Sequence, residues 1–235
     1  MSPERRSFSP IDYIVIPQRP GFALDLEGTL VNLEPLHQIS WQEVAERFGV
    51  LFGAEQHLQF AGAGDKAISE EIARLLSSHA VSAEQIREAK AKVYKDMLYT
   101  HEVAPREGVP EYLERARQYA GDLIIASLTP RENAEYILNR SHLRPFFTYV
   151  LTADSVKRLK PDPEVYLRAG ALLGGKKLLI HEDSPPGVAA GKATGNPVAA
   201  FPVLEGLVFD PQPDVIFLSW VGLDPQAITE KLIEK

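Results

Sequence analysis

Two hydrophobic rhythms share this chain, and the change from one to the other divides it. The first signal is Phe22-Ala23-Leu24-Asp25-Leu26-Glu27-Gly28-Thr29-Leu30, an apolar run that ends in two carboxylates and a glycine. Such a run predicts a buried strand followed by a tight turn. Helical spacing then takes over. Trp41, Val44, Ala45 and Phe48 fall at i, i+3, i+4 and i+7 and predict a helix over 38–50, with Gly49 near its end. Ile68, Ile72, Leu75 and Leu76 resume the spacing, and Ile86, Ala89, Val93 and Met97 form the stripe of a helix over about 83–99. Phe60-Ala61-Gly62-Ala63-Gly64-Asp65-Lys66 between them reads as a flexible, glycine-containing loop. No clear strand falls between 31 and 103, so this block reads as a helical insert.

From Gly108 strands and helices alternate. Helices are expected at 110–120, from Arg131, at 163–173, at 186–194 and at 225–234. Strands are expected at 122–127, 147–151, 177–180, 197–201 and 215–218. That alternation argues for a parallel sheet covered on both faces, and right-handed crossovers bring its strand ends to one rim. The expected class is α/β, a Rossmann-like parallel-sheet core with an inserted α-helical cap domain. The expected boundaries are an N-terminal extension at 1–20, a core at 21–31 and 105–235, and a cap at 32–104.

Composition narrows the function classes. At 235 residues, 45% apolar and 24% charged, the chain reads as a soluble globular protein able to bury a sizeable core. A net charge of -7 disfavours nucleic acid or an anionic membrane as partner, although a local site or a metal can still reverse the sign for a small anion. The absence of cysteine excludes disulfides, thiolate catalysis and cysteine-based zinc sites. No apolar run approaches the roughly 20 residues that span a bilayer. Residues 1–20 are polar and proline-rich, carry Arg5 and Arg6, and lack a signal-peptide core. Within them Tyr13-Ile14-Val15-Ile16 reads as a short strand or a packed tail. The cytoplasm is the default location, and a small-molecule substrate with a monomer or homodimer is expected.

Ligands of a parallel sheet bind outside the carboxyl ends of its strands, so Asp25 should lie at the bottom of a cleft with Glu27 leaning over it. A carboxylate nucleophile beside a carboxyl acid/base can split a difficult substitution into two easier steps. Three further groups fall on the same rim. Ser127 ends a strand and leads through Leu128-Thr129-Pro130-Arg131 into a helix, a setting that suits an anion. Lys160 sits in the two-proline loop Arg158-Leu159-Lys160-Pro161-Asp162-Pro163, where it could neutralise phosphate and carboxylate together. Glu182 and Asp183 follow a strand and, with Asp25, offer the hard oxygens that suit Mg²⁺. Each group alone has a plainer reading as a helix cap, a solvated loop charge or a turn residue. Their order on four strand ends favours the functional one.

With these words in place, the chain resembles the haloacid dehalogenase-like phosphohydrolases, especially the β-phosphoglucomutase-like branch with a helical cap. The matching words are Asp25-Leu26-Glu27-Gly28-Thr29-Leu30, Glu34-Pro35-Leu36-His37 leading into Trp41, and Ser127 with Arg131-Glu132-Asn133. Leu159-Lys160-Pro161-Asp162-Pro163 and Glu182-Asp183-Ser184-Pro185-Pro186-Gly187 complete the set, which covers roughly 22–201. The resemblance implies that Asp25 attacks phosphorus and becomes an aspartyl-phosphate. It makes Glu27 the general acid/base, with its backbone carbonyl, Asp25 and Asp183 holding Mg²⁺ and Glu182 at or just behind the metal. Ser127 and Lys160 would bind the transferring phosphoryl group, with Thr29 and His37 near the substrate. The cap would close to exclude water and choose the substrate.

Two positions depart from the family pattern. Glu27 stands where most members carry Asp, and Asn32 where mutase-like members carry an acid. The enolase-phosphatase branch also resembles the Asp-x-Glu-Gly-Thr pattern, so Glu is compatible with chemistry. The expected function is Mg²⁺-dependent hydrolysis of a small phosphomonoester. The alternatives are a phosphosugar mutase, or a non-catalytic phosphate- and metal-binding relative weakened by Glu27. A dehalogenase fits less well, because Gly28-Thr29 and Glu182-Asp183 suit metal and phosphate. His37 near the cap hinge reads as structural or substrate-facing, and His181 as packing. The glycine loop meets neither Walker A nor dinucleotide spacing.

Overall fold

The computed structural model describes residues 19–60, 62, 64–76 and 81–233. Tyr13-Ile14-Val15-Ile16 and the rest of the expected extension before Arg19 lie outside them, as do Ala61 and Ala63 of the glycine loop.

β1 (Gly21–Leu24) is buried along its whole length, which is why it is an unbroken apolar run. It pairs in parallel with β2 (Leu123–Ala126) on one side and β4 (Leu178–Glu182) on the other. β3 (Tyr149–Leu151), β5 (Val198–Ala200) and β6 (Val215–Ile216) complete a six-stranded sheet in the order β3-β2-β1-β4-β5-β6. The chain leaves β1 toward β2 and β3, then returns to β4 on the opposite side. β1 and β4 therefore flank the point where strand order reverses, and the crevice beyond their carboxyl ends is the natural ligand site. Leu24 pairs with His181, and the Asp25 amide donates to the His181 carbonyl at 3.0 Å. One register step further brings Asp25 beside Glu182.

Alternate residues of β1 serve different layers, as the strand period requires. Phe22 and Leu24 enter a core with Tyr112, Leu113 and Ile137 from α5 (Val109–Ala120) and α6 (Arg131–Arg140), closed by Ile228 of α9 (Pro225–Leu232). Ala23 enters a second core with Val165, Tyr166 and Val188 from α7 (Glu164–Leu172) and α8 (Pro185–Ala193). Both sheet faces are covered.

Between β1 and α5 lie α1 (Glu34–Arg47), α2 (Ala54–Gln59), α3 (Gly64–Leu75) and α4 (Ala83–Leu98). They have an apolar core of their own, with Trp41, Val44, Ile68, Ile72, Ile86 and Val93 buried together. No helix among the described residues is long and apolar enough to cross a membrane.

The structure shifts some expected boundaries. α1 begins at Glu34 rather than 38, because Pro35 in its first turn fits a helix start. α2 had no readable signal; six residues are too few for a periodicity. β4 runs through Glu182, so that residue closes the strand instead of following it. β3 and β6 are shorter than expected, and a single 3₁₀ turn at Arg144–Phe146 precedes β3. His181 packs as expected: it is wholly buried against Phe22, Tyr112, Phe201 and Trp220, and Nε2 lies 2.7 Å from the Tyr112 hydroxyl. Burial lowers its pKa to about 3, so the ring is neutral.

Candidate active site

The loop after β1 is shaped by one glycine. Gly28 has φ of +81°, and a Cβ there would collide with the Asp183 carboxylate. Its amide donates to Val31 O at 2.8 Å while Leu26 and Leu30 sink into the core, which fixes Asp25 and Glu27 on a short, rigid turn. The Arg106 guanidinium backs this turn, donating to Gly28 O and Phe201 O, both at 2.7 Å. The Trp220 indole donates to Thr29 O at 3.2 Å.

Lys160 is the hub of the floor. Its ammonium donates to Asp25 Oδ1 at 2.6 Å, Glu182 Oε1 at 2.6 Å and Ala126 O at 2.9 Å. Burial alone would weaken its hold on a proton, but the Asp25 and Glu182 charges more than reverse this, so it stays charged. Glu182 is wholly buried. Its Oε1 also accepts from the Tyr166 hydroxyl at 2.5 Å, and its Oε2 accepts from the Asp183 amide at 3.1 Å and the Ser184 hydroxyl at 3.2 Å. A Cβ on Gly187 would strike the Glu182 carboxyl group, so α8 can approach only because that residue is glycine.

Asp183 accepts from the Thr29 hydroxyl at 3.2 Å. Oxygens of Asp25, Glu182 and Asp183 lie within 4.8 Å of one another. Burial, reinforced by the neighbouring carboxylates, pushes the Asp25 pKa up to about 7 and Asp183 well above its usual range. Three clustered carboxylates, of which one lysine bonds two, are short of positive charge, and a hard divalent cation between Asp25 and Asp183 fits that deficit.

Glu27 turns toward the helical block. Oε2 lies 3.0 Å from His37 Nε2 and accepts from the Tyr94 hydroxyl; Oε1 accepts from the Thr129 hydroxyl at 2.5 Å. Burial raises its pKa, but these donors outweigh that and hold Glu27 below the usual carboxylate range. Ser127 Oγ lies 3.0 Å from Thr129 Oγ1. On the far side of His37, Lys90 Nζ lies 2.7 Å from Nδ1 and 2.9 Å from Asp65 Oδ2. The ammonium donates to Nδ1, so His37 carries its ring proton on Nε2, toward Glu27.

A cavity of about 410 Å³ runs between these groups. Asp25, Glu27, His37, Ser127, Lys160 and Asp183 line it, so the structure gathers six of the eight singled-out residues directly. Thr29 and Glu182 are wholly buried behind it and reach it through Asp183 and Lys160. Lys90, Tyr94, Thr129 and Asn133 also line the cavity and were not singled out from sequence. Thr129 and Asn133 sat inside quoted words; Lys90 and Tyr94 occupy ordinary positions of a helix and carried no signal.

A sequence model of the haloacid dehalogenase-like hydrolases matches residues 23–201. The chain belongs to that family, and it is an enzyme. It is 30% identical over 176 residues to the phosphorylated carbohydrates phosphatase of Thermotoga maritima, covering 73% of this chain and 79% of the relative. It is 26% identical over 183 residues to the fructose-1-phosphate phosphatase YqaB of Escherichia coli, covering 74% and 92%. The crystal structure of a family IA hydrolase from Entamoeba histolytica superposes with a TM-score of 0.79 at 21% identity, covering 92% of this chain and all of that one.

Proposed function

We propose that the protein is a Mg²⁺-dependent phosphatase that hydrolyses small phosphomonoesters through Asp25. The observation that carries this is the clustering of the Asp25, Glu182 and Asp183 carboxylates, the first two bonded to the Lys160 ammonium, at the switch point of the sheet. The relatives that bear phosphatase names support the reaction class.

In the first step an Asp25 oxygen forms a bond to phosphorus while the ester P–O bond breaks. The leaving oxygen takes a proton from Glu27, and the phosphoryl group rests on Asp25. In the second step water attacks the same phosphorus, Glu27 takes the water proton, and the Asp25–phosphoryl bond breaks to release inorganic phosphate. Lys160 and Ser127 compensate the charge of the transferring group.

Glu27 needs two protonation states. The donors around it favour the carboxylate, the form that accepts a proton from water. Two of them, His37 and Tyr94, belong to α1 and α4. Withdrawal of those helices would remove both donors and open the cleft to water. We read 32–104 as a cap for that reason, and 21–31 with 105–235 as the core.

Asp25, Asp183 and the backbone carbonyl of Glu27 would hold Mg²⁺. A bound Mg²⁺ would supply charge neutralisation for the phosphoryl oxygens. Glu182 has both oxygens committed to Lys160, Tyr166, Asp183 and Ser184, which supports a place for it behind the metal. Thr29 would aim Asp183 rather than touch substrate.

The test is Asp25→Asn. It should abolish Mg²⁺-dependent release of phosphate from a panel of phosphomonoesters, with the fold retained by circular dichroism. A variant that keeps the wild-type rate would refute the nucleophile.

A further inference from the structure

We propose that the cleft ends, on the side away from Lys160, in a subsite that seeks hydrogen-bond donors. It would accept a neutral, hydroxyl-rich or ammonium-bearing substrate tail and reject a second phosphate or a carboxylate. This deepens the phosphatase reading above and rests on it.

A second cavity, of about 210 Å³, adjoins the catalytic one. The two share His37, Gly64, Asp65, Asp183, Ser184 and Pro186, so they form one continuous cleft. One end is rich in donors, with Lys160, Ser127, Thr129 and Asn133 where a phosphoryl group is expected. The other end is lined by Glu34, Asp65 and His57 beside the apolar Trp41, Phe60 and Leu207.

The acidic side chains at that far end are Glu34 and Asp65, with Asp183 where the two cavities join. Burial raises the pKa of Glu34 and Asp65, but His57 at Glu34 and Lys90 at Asp65 outweigh it, and both remain carboxylates. His57 Nε2 lies 2.7 Å from Glu34 Oε1, so Nε2 carries the ring proton. His57 lines the same end, and its Nδ1 is buried with no protein partner.

Among the described residues, Lys90 and Lys160 are the lysines or arginines that line either cavity. Lys160 serves Asp25 and Glu182, and Lys90 serves Asp65 and His37. A second phosphate, with about -1.5 to -2 charge, would face two carboxylates and no uncommitted cation. Hydroxyl or ammonium hydrogens would satisfy the same acceptors, and the aromatic and leucine wall would cover a carbon skeleton. A site built from acceptors discriminates most strongly against a ligand that brings only acceptors.

Four ligands of one carbon skeleton test this by calorimetry with Mg²⁺ on full-length Asp25→Asn protein, which holds them without turnover. Glucose 6-phosphate and glucosamine 6-phosphate should bind at least tenfold tighter than 6-phosphogluconate and glucose 1,6-bisphosphate. Asp65→Asn in the same background should narrow that gap threefold or more. The same order is expected in wild-type inhibition constants against p-nitrophenyl phosphate. Equal binding of all four, tighter binding of the bisphosphate, or binding of none overturns the proposal. Hydrolysis of p-nitrophenyl phosphate with a reversed ligand order overturns the subsite alone. Absence of any hydrolysis counts against the phosphatase reading, while the calorimetric order still decides the subsite.

Discussion

Two lysines point into the same cleft, one from the sheet side and one from the helical side, and their surroundings differ. Both side chains are almost fully removed from solvent, at 4% exposure for Lys160 and 3% for Lys90. The partners of Lys160 are as dry as it is, with Asp25 at 10% and Glu182 at 0%. The partners of Lys90 are wetter, with Asp65 at 50% and His37 at 26%. Around Lys90 the Trp41 and Tyr94 rings lie 5.3 and 5.0 Å away and cover the ammonium. The floor is therefore an electrostatic unit in which no charge can be removed alone. The helical side is a set of contacts that water can partly replace.

The sharpest way to break that contrast is to remove each ammonium and keep its bulk. Lys160→Met should leave Asp25 and Glu182 buried without a counter-charge. Removing one partner of a buried pair costs about 3–5 kcal/mol. Urea denaturation should show that loss, and phosphatase activity should fall by ~10³ or more, since charge compensation at the phosphoryl group is lost with it. A stability loss under about 1 kcal/mol would mean that the floor is wetter than the geometry implies.

Glu27→Asp tests the join between the two sides. The three donors to Glu27 come from α1, α4 and the loop after β2, and they fit the longer side chain. Shortening it by one carbon moves the carboxyl by about 1 Å, which can cost ~100-fold. We expect kcat to fall by roughly 10- to 100-fold with little change in stability. A rise in kcat would show that Glu27 is a weakened general acid and would favour the non-catalytic reading of this chain.

Lys90→Met comes next. Asp65 can turn to solvent, and the methionine still fills the space beside Trp41 and Tyr94. Stability should fall by about 1 kcal/mol. His37 loses the group that sets its tautomer, so kcat/KM should fall roughly tenfold through poorer orientation of Glu27. Double-mutant cycles with His37→Gln should show coupling, which a merely structural Lys90 would not produce.

The same contrast decides what could be read in advance. The floor was legible because strands end, and chemistry placed at a strand end stands out from the apolar run before it. Asp25, Ser127 and Asp183 were found in that way, and Lys160 because two prolines follow it in its loop. The groups that support them were missed. Tyr166 sits among the apolar residues of α7, and nothing in the sequence says that its hydroxyl reaches Glu182. The helical side was almost illegible. Lys90 and Tyr94 share a face of α4 at i and i+4, where lysine and tyrosine are common surface residues. Only the crossing of α4 over α1, with His37 stacked on Tyr94 at 4.2 Å, turns them inward. The parallel sheet was legible from the alternation, but the order of its strands, with β4 returning beside β1, was not, because order is set by pairing rather than by composition.

The smallest expected effect belongs to Trp220→Phe, which asks how far the floor is held from behind. Trp220 stacks on Phe201 at 3.6 Å with an interplanar angle of 4°, and a phenyl ring can keep much of that contact. The change removes the indole N–H that donates to Thr29 O. Arg106 also donates to that carbonyl, at 3.3 Å, so the acceptor is not stranded. The lost hydrogen bond and the smaller ring should together cost about 1–2 kcal/mol in a denaturant titration. Activity should stay within roughly threefold of wild type, because Thr29 acts on Asp183 through its own hydroxyl and the Gly28 turn is still closed by Val31. If Trp220→Phe instead lowered kcat/KM as much as Lys90→Met, the geometry of the floor would depend on the C-terminal segment as well as on the strand ends. The division between a self-contained floor and a replaceable helical side would then have to be redrawn around the whole sheet edge.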